Sequence, residues 1–200
     1  MSTSTGTRGP YRKSVERRRE IVQTALDVFA ERGYSSGSMR EIAARAGLTQ
    51  SGLLHHFASK EDLLTEVVEL RDRQVDEALA RHGAPPLLER MAVIAAHNRE
   101  NRKLSSVFVI LSAEAVAEEH PAHEYFRRRY ERQHVETERA VREEQRSGRI
   151  RPDLDAGAVA AGLVALLDGF ELQQELRPGF DPERAVRAFV SSLSVLPTGS

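Results

Sequence analysis

Apolar residues recur at intervals of three and four along most of the chain, which is the spacing of amphipathic α-helices. From Ser14 to Arg32 they form one continuous stripe, and Gly33 follows as a residue suited to a left-handed helix end. The stripe therefore predicts a first helix with one buried face. Its apolar positions are Ile21, Val22, Ala25, Leu26, Val28 and Phe29.

Capping residues predict three more helices before His82. A Ser or Thr at the N-cap accepts a hydrogen bond from an unpaired backbone N–H, and an acidic residue three positions later completes a capping box. The second helix is MREIAARA, the third is SGLLHHF with about two turns, and the fourth is SKEDLLTEVVELRDRQVDEAL. The capping residues are Ser38 with Glu41, Thr49, and Ser59 with Asp62.

Five further helices are predicted in the rest of the chain. The break HGAPP at 82–86 precedes an amphipathic helix, and the stretch 104–116 is apolar almost all round. That stretch permits a buried helix or a buried strand, and we favour a helix. A strongly charged helix is predicted from Pro121 to Ser147 and ends at Gly148.

Two helices are predicted near the C-terminus. Residues 156–167 are a run of small and aliphatic side chains, and Asp181 with Pro182 opens a last amphipathic helix. About nine helices and no strand result, so the fold class predicted from the sequence is all-α.

Residues 38–60 have the spacing of a helix-turn-helix. Two short helices cross at a steep angle only where a small residue lies at the contact and a glycine permits the turn, and Ala43 and Gly47 provide both. An ordinary helical hairpin with a polar outer face is the alternative. The side chains expected to fill the inside are Ile42, Leu48, Leu53, Leu54 and Phe29.

The outer face of this motif carries short or amide-bearing groups. Gln50 can pair with adenine through two hydrogen bonds, Ser51 can donate or accept at any base edge, and Gly52 permits close backbone approach. His55 and His56 complete the face, although surface or partly packed histidines are an equal alternative.

Composition and charge exclude several classes and favour another. Because none of the 200 residues is cysteine, disulfide scaffolds, thiolate zinc sites, iron–sulfur clusters and cysteine nucleophiles are excluded. Residues 1–60 contain 10 Lys and Arg against 5 Asp and Glu, whereas residues 61–200 contain 19 against 25. A basic N-terminal segment favours an anionic partner, most commonly nucleic acid, over a solvated basic face.

No targeting or membrane segment is predicted. The start MSTSTGTRGPYRKSVERRR lacks the apolar region of a signal peptide, and no stretch approaches the roughly 20 apolar residues that span a bilayer. The run AGAVAAGLVALLDGF is too short for that purpose. We therefore expect a soluble, cytoplasmic protein without a membrane contact.

The stretch from Arg17 to Val67 resembles the N-terminal DNA-binding domain of the tetracycline-repressor (TetR) family of bacterial transcriptional regulators. The resemblance covers about a quarter of the chain, and the rest matches only in its helical character. The features that carry it are Ile21, Ala25 and Phe29, then Gly33-Tyr34, Ile42-Ala43 and Gly47, and finally Phe57 with Ser59-Lys60-Glu61.

The resemblance implies the domain organisation of a regulator. A flexible basic arm at 1–13 precedes a helix-turn-helix DNA-binding domain at 14–60, whose motif spans 38–57. A connecting helix at 61–81 then leads to a ligand-binding and dimerisation domain at 82–196.

The resemblance also implies roles for individual residues. Ser38 and Arg40 face the DNA backbone or a base edge, and Lys60 meets a phosphate where its charge adds to the helix N-terminus. Many members carry a phosphate-binding tyrosine where this chain has Leu54, so that contact is absent. The residues expected at DNA are Ser38, Arg40, Thr49, Gln50, Ser51, Gly52, His55, His56 and Lys60. Arg8, Arg12 and Lys13 of the arm either contact DNA or are solvated.

The apolar run at 156–170 predicts a subunit interface. It is too uniformly apolar for one buried stripe, so it must be covered on several sides. Pairing this helix and the one at 182–195 with the same pair of a second copy forms a four-helix interface, and a buried central helix of a monomer is the alternative. The expected interface residues are Val159, Leu163, Leu166, Leu167, Phe170, Val186, Phe189, Val190 and Leu193.

The predicted function is a ligand-responsive dimer that represses transcription from a palindromic operator. An unidentified small molecule binds the helices after His82 and moves the helix from Ser59 to Ala80, which changes the spacing of the two recognition helices. Polar residues within apolar helices are the candidate ligand contacts: His97, Asn98, Asn101, Ser112 and Glu114. The alternative is a helical small-molecule-binding or scaffold protein that has lost specific DNA binding.

Enzymatic and metal sites have little support in the sequence. Glu131 and His134 form a single Glu-x-x-His, whereas a di-iron bundle needs two together with further carboxylates. No nucleophile elbow, Walker loop or dinucleotide-binding glycine motif occurs. We therefore predict no enzyme, no cofactor and no metal, and we expect 127–129 to be a solvated cationic face.

Overall fold

A computed structural model describes residues 10–177 and 179–194, and these form nine α-helices without a β-strand. An isolated β-bridge joins Ile150 and Ser194. The all-α prediction is confirmed. The helices are α1 Pro10–Ser36, α2 Met39–Arg45, α3 Gln50–Leu54, α4 Lys60–Arg81, α5 Leu87–Glu100, α6 Arg102–Glu114, α7 His123–Arg146, α8 Ala156–Leu176 and α9 Pro182–Leu193.

The first helix begins earlier than the sequence pattern predicts. α1 starts at Pro10 rather than Ser14, because a proline in the first turn lacks only an N–H that would be unpaired there in any case. Gly33 has φ 72°, which confirms the predicted left-handed residue, although helical backbone resumes after it as far as Ser36. Residues 1–9 of the predicted arm at 1–13, Arg8 among them, lie outside the described residues. Residues 10–13 belong to α1.

Two helices differ in length from their predictions. α3 ends at Leu54 instead of extending over two turns, and the following His56 and Phe57 N–H groups both donate to the Leu53 carbonyl. α8 continues past the predicted apolar run to Leu176. Its last part is a polar segment, which the apolar pattern does not mark as helix. By length and composition alone α8 is able to cross a membrane, a property that core helices of soluble proteins share, so this finding does not contradict the expectation of no membrane segment.

The chain divides into two compact units, residues 1–68 and 69–200. In the N-terminal unit α1 packs on α2 and α2 packs on α3, around the fully buried side chains of Phe29, Ile42, Leu53 and Phe57. Leu54, predicted to join this core, is 45% exposed instead. Neighbouring residues in a helix point about 100° apart, so only Leu53 of this pair faces the interior.

In the C-terminal unit α8 packs on α5, α6, α7 and α9, and α5 also packs on α9. The core of this unit centres on Met91, Val141, Leu163 and Val186. The stretch 104–116 is helical as far as Glu114 and ends in a turn, so the strand alternative is excluded there. α8 is the apolar centre of this unit, yet only 17% of its most apolar window is buried within the chain.

Candidate nucleic-acid interface and ligand cavity

Side-chain caps set the starts of α2 and α3. The Ser38 hydroxyl accepts a hydrogen bond from the Glu41 N–H at 3.2 Å, and the Thr49 hydroxyl accepts one from the Gly52 N–H at 3.0 Å. Each cap satisfies a donor that a helix start leaves unpaired. Both predicted caps are confirmed, and they fix where each short helix begins.

The turn between the two helices depends on Gly47. Its φ of 67° lies in the left-handed region, whereas an added Cβ would meet no atom within 4 Å. The Gly47 N–H donates to the Ala44 carbonyl at 3.1 Å, and the Leu48 N–H donates to the Ala43 carbonyl at 2.8 Å. This is the Schellman pattern of helix termination, so backbone conformation rather than space requires the glycine.

The predicted DNA-binding side chains lie on the surface of the N-terminal unit. Six are exposed and three are half-buried. An added Cβ on Gly52 would lie 3.3 Å from the Thr49 hydroxyl, so a larger residue there would press on the cap. The exposed ones are Ser38, Arg40, Thr49, Gln50, Ser51 and His55, and the half-buried ones are Gly52, His56 and Lys60.

Lys60 has contacts within its own unit. Its ammonium lies 4.1 Å from the centre of the Tyr34 ring and donates to the Ser35 carbonyl at 3.4 Å. The Tyr34 hydroxyl donates in turn to Glu61 at 3.0 Å. Burial is the main cause that raises the pKa of this hydroxyl, and the hydrogen bond to Glu61 raises it further. Lys60 is therefore held in place at the start of α4.

Two arginines of α1, which the sequence analysis did not single out, support the ends of α2 and α3. Arg17 donates to the Ala46 carbonyl at 2.6 Å, and Arg18 donates to the His56 carbonyl at 2.5 Å. Arg18 also pairs with Glu66 at 2.7 Å and lies 4.0 Å from the centre of the Phe57 ring. The Arg-Arg-Arg run at 17–19 is the sequence signal for these contacts, because carbonyls at helix ends lack partners and arginines can donate to them.

A cavity of about 360 Å³ lies among α4, α5, α7 and α8 of the C-terminal unit. Its size falls within the range of small-molecule sites. We call it the main cavity because residues of four helices line it, although a space of about 410 Å³ beside the start of α9 is larger. Its apolar lining comprises Val75, Leu79, Leu87, Met91, Ile94, Val164 and Leu167, and its charged lining comprises Arg71, Asp72, Asp76, Arg90, Arg129, Arg132, Glu136 and Asp168.

Two buried guanidinium groups line the main cavity. Arg71 is 5% exposed and Arg129 is 2% exposed, and each lies 4.5 Å from the centre of the Phe108 ring. Arg129 donates to both oxygens of Asp72, at 3.2 and 3.3 Å, and the Tyr125 hydroxyl donates to the same carboxylate at 2.7 Å. The expected solvated face at 127–129 is thus wrong for Arg129, whose helix position faces inward.

Glu171 is the buried counter-charge of Arg71. The two side chains meet at 2.5 Å, and the Asn98 amide also donates to Glu171. Burial raises the pKa of Glu171, opposed by the positive charge of Arg71. The sequence pattern gave no sign of this pair, because its members are 100 residues apart.

The predicted ligand residues occupy mixed positions. Asn98 borders a separate space of about 10 Å³ beside Glu171, and His97 is buried with its pKa lowered by burial and by Arg71. Asn101, Ser112 and Glu114 are half-buried. The lining of the main cavity includes none of the five residues.

Family models match both units of the chain. Residues 21–67 match the model of the bacterial regulatory proteins of the tetR family, and residues 88–196 match the C-terminal model of the BetI-type transcriptional repressors. The second match alone spans more than half of the sequence. The chain belongs to the TetR family.

Individual relatives agree with this assignment. The chain is 29% identical over 158 residues to the transcriptional repressor AcnR of Corynebacterium diphtheriae, covering 77% of this chain and 78% of AcnR. It is 40% identical over 62 residues to the regulator AcrR of Shigella flexneri, which covers 31% of this chain and 29% of AcrR. The second match thus covers less than a third of AcrR, whereas the first covers more than three quarters of AcnR.

Solved structures share the fold over nearly the whole chain. AibR, solved in complex with isovaleryl coenzyme A and operator DNA, superposes with a TM-score of 0.68 at 25% identity, covering 89% of this chain and 98% of AibR. This TetR-family protein therefore shares its fold with a regulator solved with a ligand and operator DNA, and its C-terminal unit matches the model of a group of transcriptional repressors. The named relatives are regulators of transcription.

The predicted interface residues on the last two helices of this TetR-family protein fall into three groups by their exposure. Leu163, Val186, Val190 and Leu193 are at most 8% exposed and belong to the core of one chain. Phe189 is 39% exposed. The others, which are half-buried, are Val159, Leu166, Leu167 and Phe170. Sequence analysis missed Leu172 and Leu176, which are 47% and 72% exposed at the end of α8.

Proposed function

We propose that the protein represses transcription as a cytoplasmic homodimer that binds a palindromic operator and is released by a small-molecule effector. The observation that carries this proposal is the capped α2–Gly47–α3 unit with polar side chains on its exposed surface. A two-fold dimer presents two such units to half-sites one helical turn of DNA apart, or a multiple of it.

The surface of α3 is assigned to the major groove. Gln50 and Ser51 are exposed at the start of this helix, where side chains reach base edges in helix-turn-helix proteins. Gly52 lets the backbone approach closely. Ser38 and Thr49 stand at the N-terminal ends of α2 and α3, where unpaired N–H groups favour a phosphate.

Phosphate contacts are assigned to the basic groups around this helix. Arg40 is exposed on α2, and Lys60 is held at the N-terminus of α4. His55 and His56 follow α3. These contacts position the protein and contribute affinity without reading sequence.

The uncovered part of α8 and α9 is assigned to the subunit interface. Phe189 and the end of α8 leave large apolar surface in water, and burying it against a second copy stabilises the dimer. Gly162 and Gly169 face open space within one chain, because a Cβ on either would meet no atom within 4 Å, and their lack of a side chain would let a second copy approach closely.

Release is assigned to α4, which is shared by both units. Its residues from Arg71 to Leu79 line the main cavity, and it begins at Lys60 directly after the helix-turn-helix. A ligand that binds the cavity more tightly in one position of α4 shifts the population towards that position. A ligand with equal affinity for both positions would not release DNA.

The experiment is selection of bound duplexes from a random pool at about physiological salt, followed by titration of the selected sequence. We expect an inverted repeat. Failure of a folded dimer to enrich any sequence, with and without candidate effectors, would support the alternative of a sensor that has lost specific DNA binding.

Two substitutions separate base contacts from phosphate contacts. Gln50→Ala should relax the preference at one base pair of each half-site by about 5- to 160-fold, which corresponds to ~1–3 kcal/mol. Lys60→Ala should weaken all duplexes by a similar factor and reduce the salt dependence. Gln23→Ala, an exposed glutamine of α1, and Lys103→Ala, an exposed lysine of α6, are the matched controls. Equal effects of both substitutions on specific and nonspecific DNA would contradict these roles.

A further inference from the structure

We infer that the main cavity binds a small organic monoanion, a carboxylate on an apolar body, and that this anion is the effector. The inference rests on the proposed function for its link to DNA release. The ligand class itself follows from the lining of the cavity.

The size and lining of the main cavity indicate the apolar part of the ligand. Because one water molecule takes up about 30 Å³ in the liquid, a volume of about 360 Å³ corresponds to roughly a dozen non-hydrogen atoms. Seven aliphatic or thioether side chains form most of the uncharged lining, Met91 and Ile94 among them. These side chains offer apolar contacts to a hydrocarbon body, while charged side chains line the rest of the cavity.

One unpaired donor indicates the charge of the ligand's polar part. The Nε–H of Arg71 is buried and has no hydrogen-bond partner, and this residue, which is 5% exposed, lines the main cavity. A buried donor without an acceptor costs about 1–3 kcal/mol, so the site is incomplete as it stands. A carboxylate oxygen supplies the acceptor, and guanidinium binds that group in a charge-assisted hydrogen bond.

The carboxylates that line the cavity leave little for a cationic ligand. Asp72 already accepts from Arg129 and Tyr125 and lies 3.6 Å from Arg71, and Asp168 interacts with the Tyr130 hydroxyl. The remaining acids, Asp76 and Glu136, are exposed to solvent. A cation would therefore face two buried guanidinium groups without a free buried carboxylate to pair with.

The other carboxylate that pairs with Arg71, that of Glu171, does not line the main cavity and leaves this space open to an anion. Glu171 pairs with Arg71 from outside the main cavity, and burial raises the pKa of that carboxyl group. The Arg71 and Arg129 guanidinium groups thus share Asp72 as the carboxylate that lines the cavity beside them. An incoming carboxylate would add a second acceptor for these two guanidinium groups on the cavity side.

The test compares three probes of similar size and different charge. Decanoate, decanol and octyltrimethylammonium, each below its micelle concentration, are titrated by calorimetry into the full-length protein and into its complex with the selected operator. We expect decanoate to bind at least tenfold more tightly than the other two and to release the operator. Tightest binding of the cation, equal binding of decanol, or binding of decanoate without release would overturn the inference.

Neighbouring arginines of α7 supply a matched pair of variants. Arg129→Gln should remove the preference for decanoate over decanol, whereas Arg128→Gln should retain it, because Arg128 is exposed and pairs with Glu124. If Arg129→Gln does not fold, Arg71→Lys keeps the charge but removes the Nε–H and should reduce the same preference. An unchanged preference in whichever of these variants folds would contradict the assignment.

The outcomes also separate this inference from the proposed function. Operator binding without a preference for decanoate overturns the inference alone. A preference for decanoate that depends on Arg129, in a protein that enriches no DNA sequence, supports the ligand site and overturns its role in repression.

Discussion

The two units of the protein differ in how completely one chain covers its apolar surface. In the N-terminal unit Phe29 and Phe57 are at most 1% exposed. In the C-terminal unit Leu172, Leu176 and Phe189 are 47%, 72% and 39% exposed, all on the last two helices. The first unit is closed by its own residues, whereas the second leaves part of its apolar surface in water.

This difference explains why the units carry different kinds of information. A closed unit keeps polar groups on its surface, so its exposed side chains are available to a partner such as DNA. An open apolar surface favours burial against another protein surface. Among the described residues of the N-terminal unit, Leu54 is the large apolar side chain that is exposed, at 45%.

The largest expected effect is on the closed core of the N-terminal unit. Phe57→Ala should lower the free energy of unfolding of that unit by about 3–5 kcal/mol, because it leaves a cavity and removes the ring that contacts Arg18. Denaturant unfolding and operator binding are the measurements. Leu54→Ala is the matched control and should cost at most about 0.5 kcal/mol. Similar losses from both substitutions would show that this core is not closed as described.

An intermediate effect is expected on the open surface of the C-terminal unit. Phe189→Glu should raise the dimer dissociation constant by about 30- to 1000-fold, or ~2–4 kcal/mol, because a charge would be buried in the interface. Sedimentation at several concentrations measures it, with circular dichroism to verify helix content. Ser191→Glu adds the same charge at an exposed position of α9 and should leave the dimer intact. Dimers of unchanged stability in Phe189→Glu would place the interface elsewhere.

The smallest expected effect concerns pH and a buried carboxylate of the C-terminal unit. Glu144 is 4% exposed and accepts from the Leu87 N–H at 3.1 Å and from Arg149. Burial acts to raise the pKa of Glu144, but these hydrogen bonds outweigh it and the pKa is lowered. The lowered pKa means that Glu144 stabilises the fold above its unfolded pKa, and that this contribution is lost as pH falls through the folded pKa.

Glu144→Gln tests that linkage. It should cost about 1–3 kcal/mol at pH 7 and reduce the dependence of stability on pH in the acid range. Thermal unfolding from pH 7 to pH 3 provides the data, and Glu143→Gln, an exposed neighbour, is the control. A steeper acid dependence in Glu144→Gln than in the unsubstituted protein would reverse the sign of this argument.

Local signals predicted most of the helices and the DNA-binding motif. Capping by Ser38, Thr49 and Asp181 depends on residues within a few positions of each other, and the structure confirms all three. The left-handed residues Gly33 and Gly47 likewise follow from the neighbouring sequence. Errors appeared where apolar pattern alone set a boundary, as at the end of α8.

Contacts between distant residues were beyond the sequence pattern. Arg129 was expected in solvent because its neighbours are charged, yet α7 turns it towards Phe108 and Asp72. The sequence pattern predicts polar residues in apolar helices as ligand contacts, whereas none of the predicted residues lines the main cavity. A side chain's position on a helix is local information, but what faces it depends on helix packing.

The sequence by itself determined the helices, their caps, the left-handed turns and the family to which the chain belongs, because these depend on short-range hydrogen bonds and residue spacing. Tertiary structure alone decided that Arg17 and Arg18 support the helix-turn-helix, that Arg71 meets Glu171, and which apolar side chains stay exposed. Those features arise from helices brought together across long stretches of chain, where burial and charge pairing are set by the packing of the whole unit.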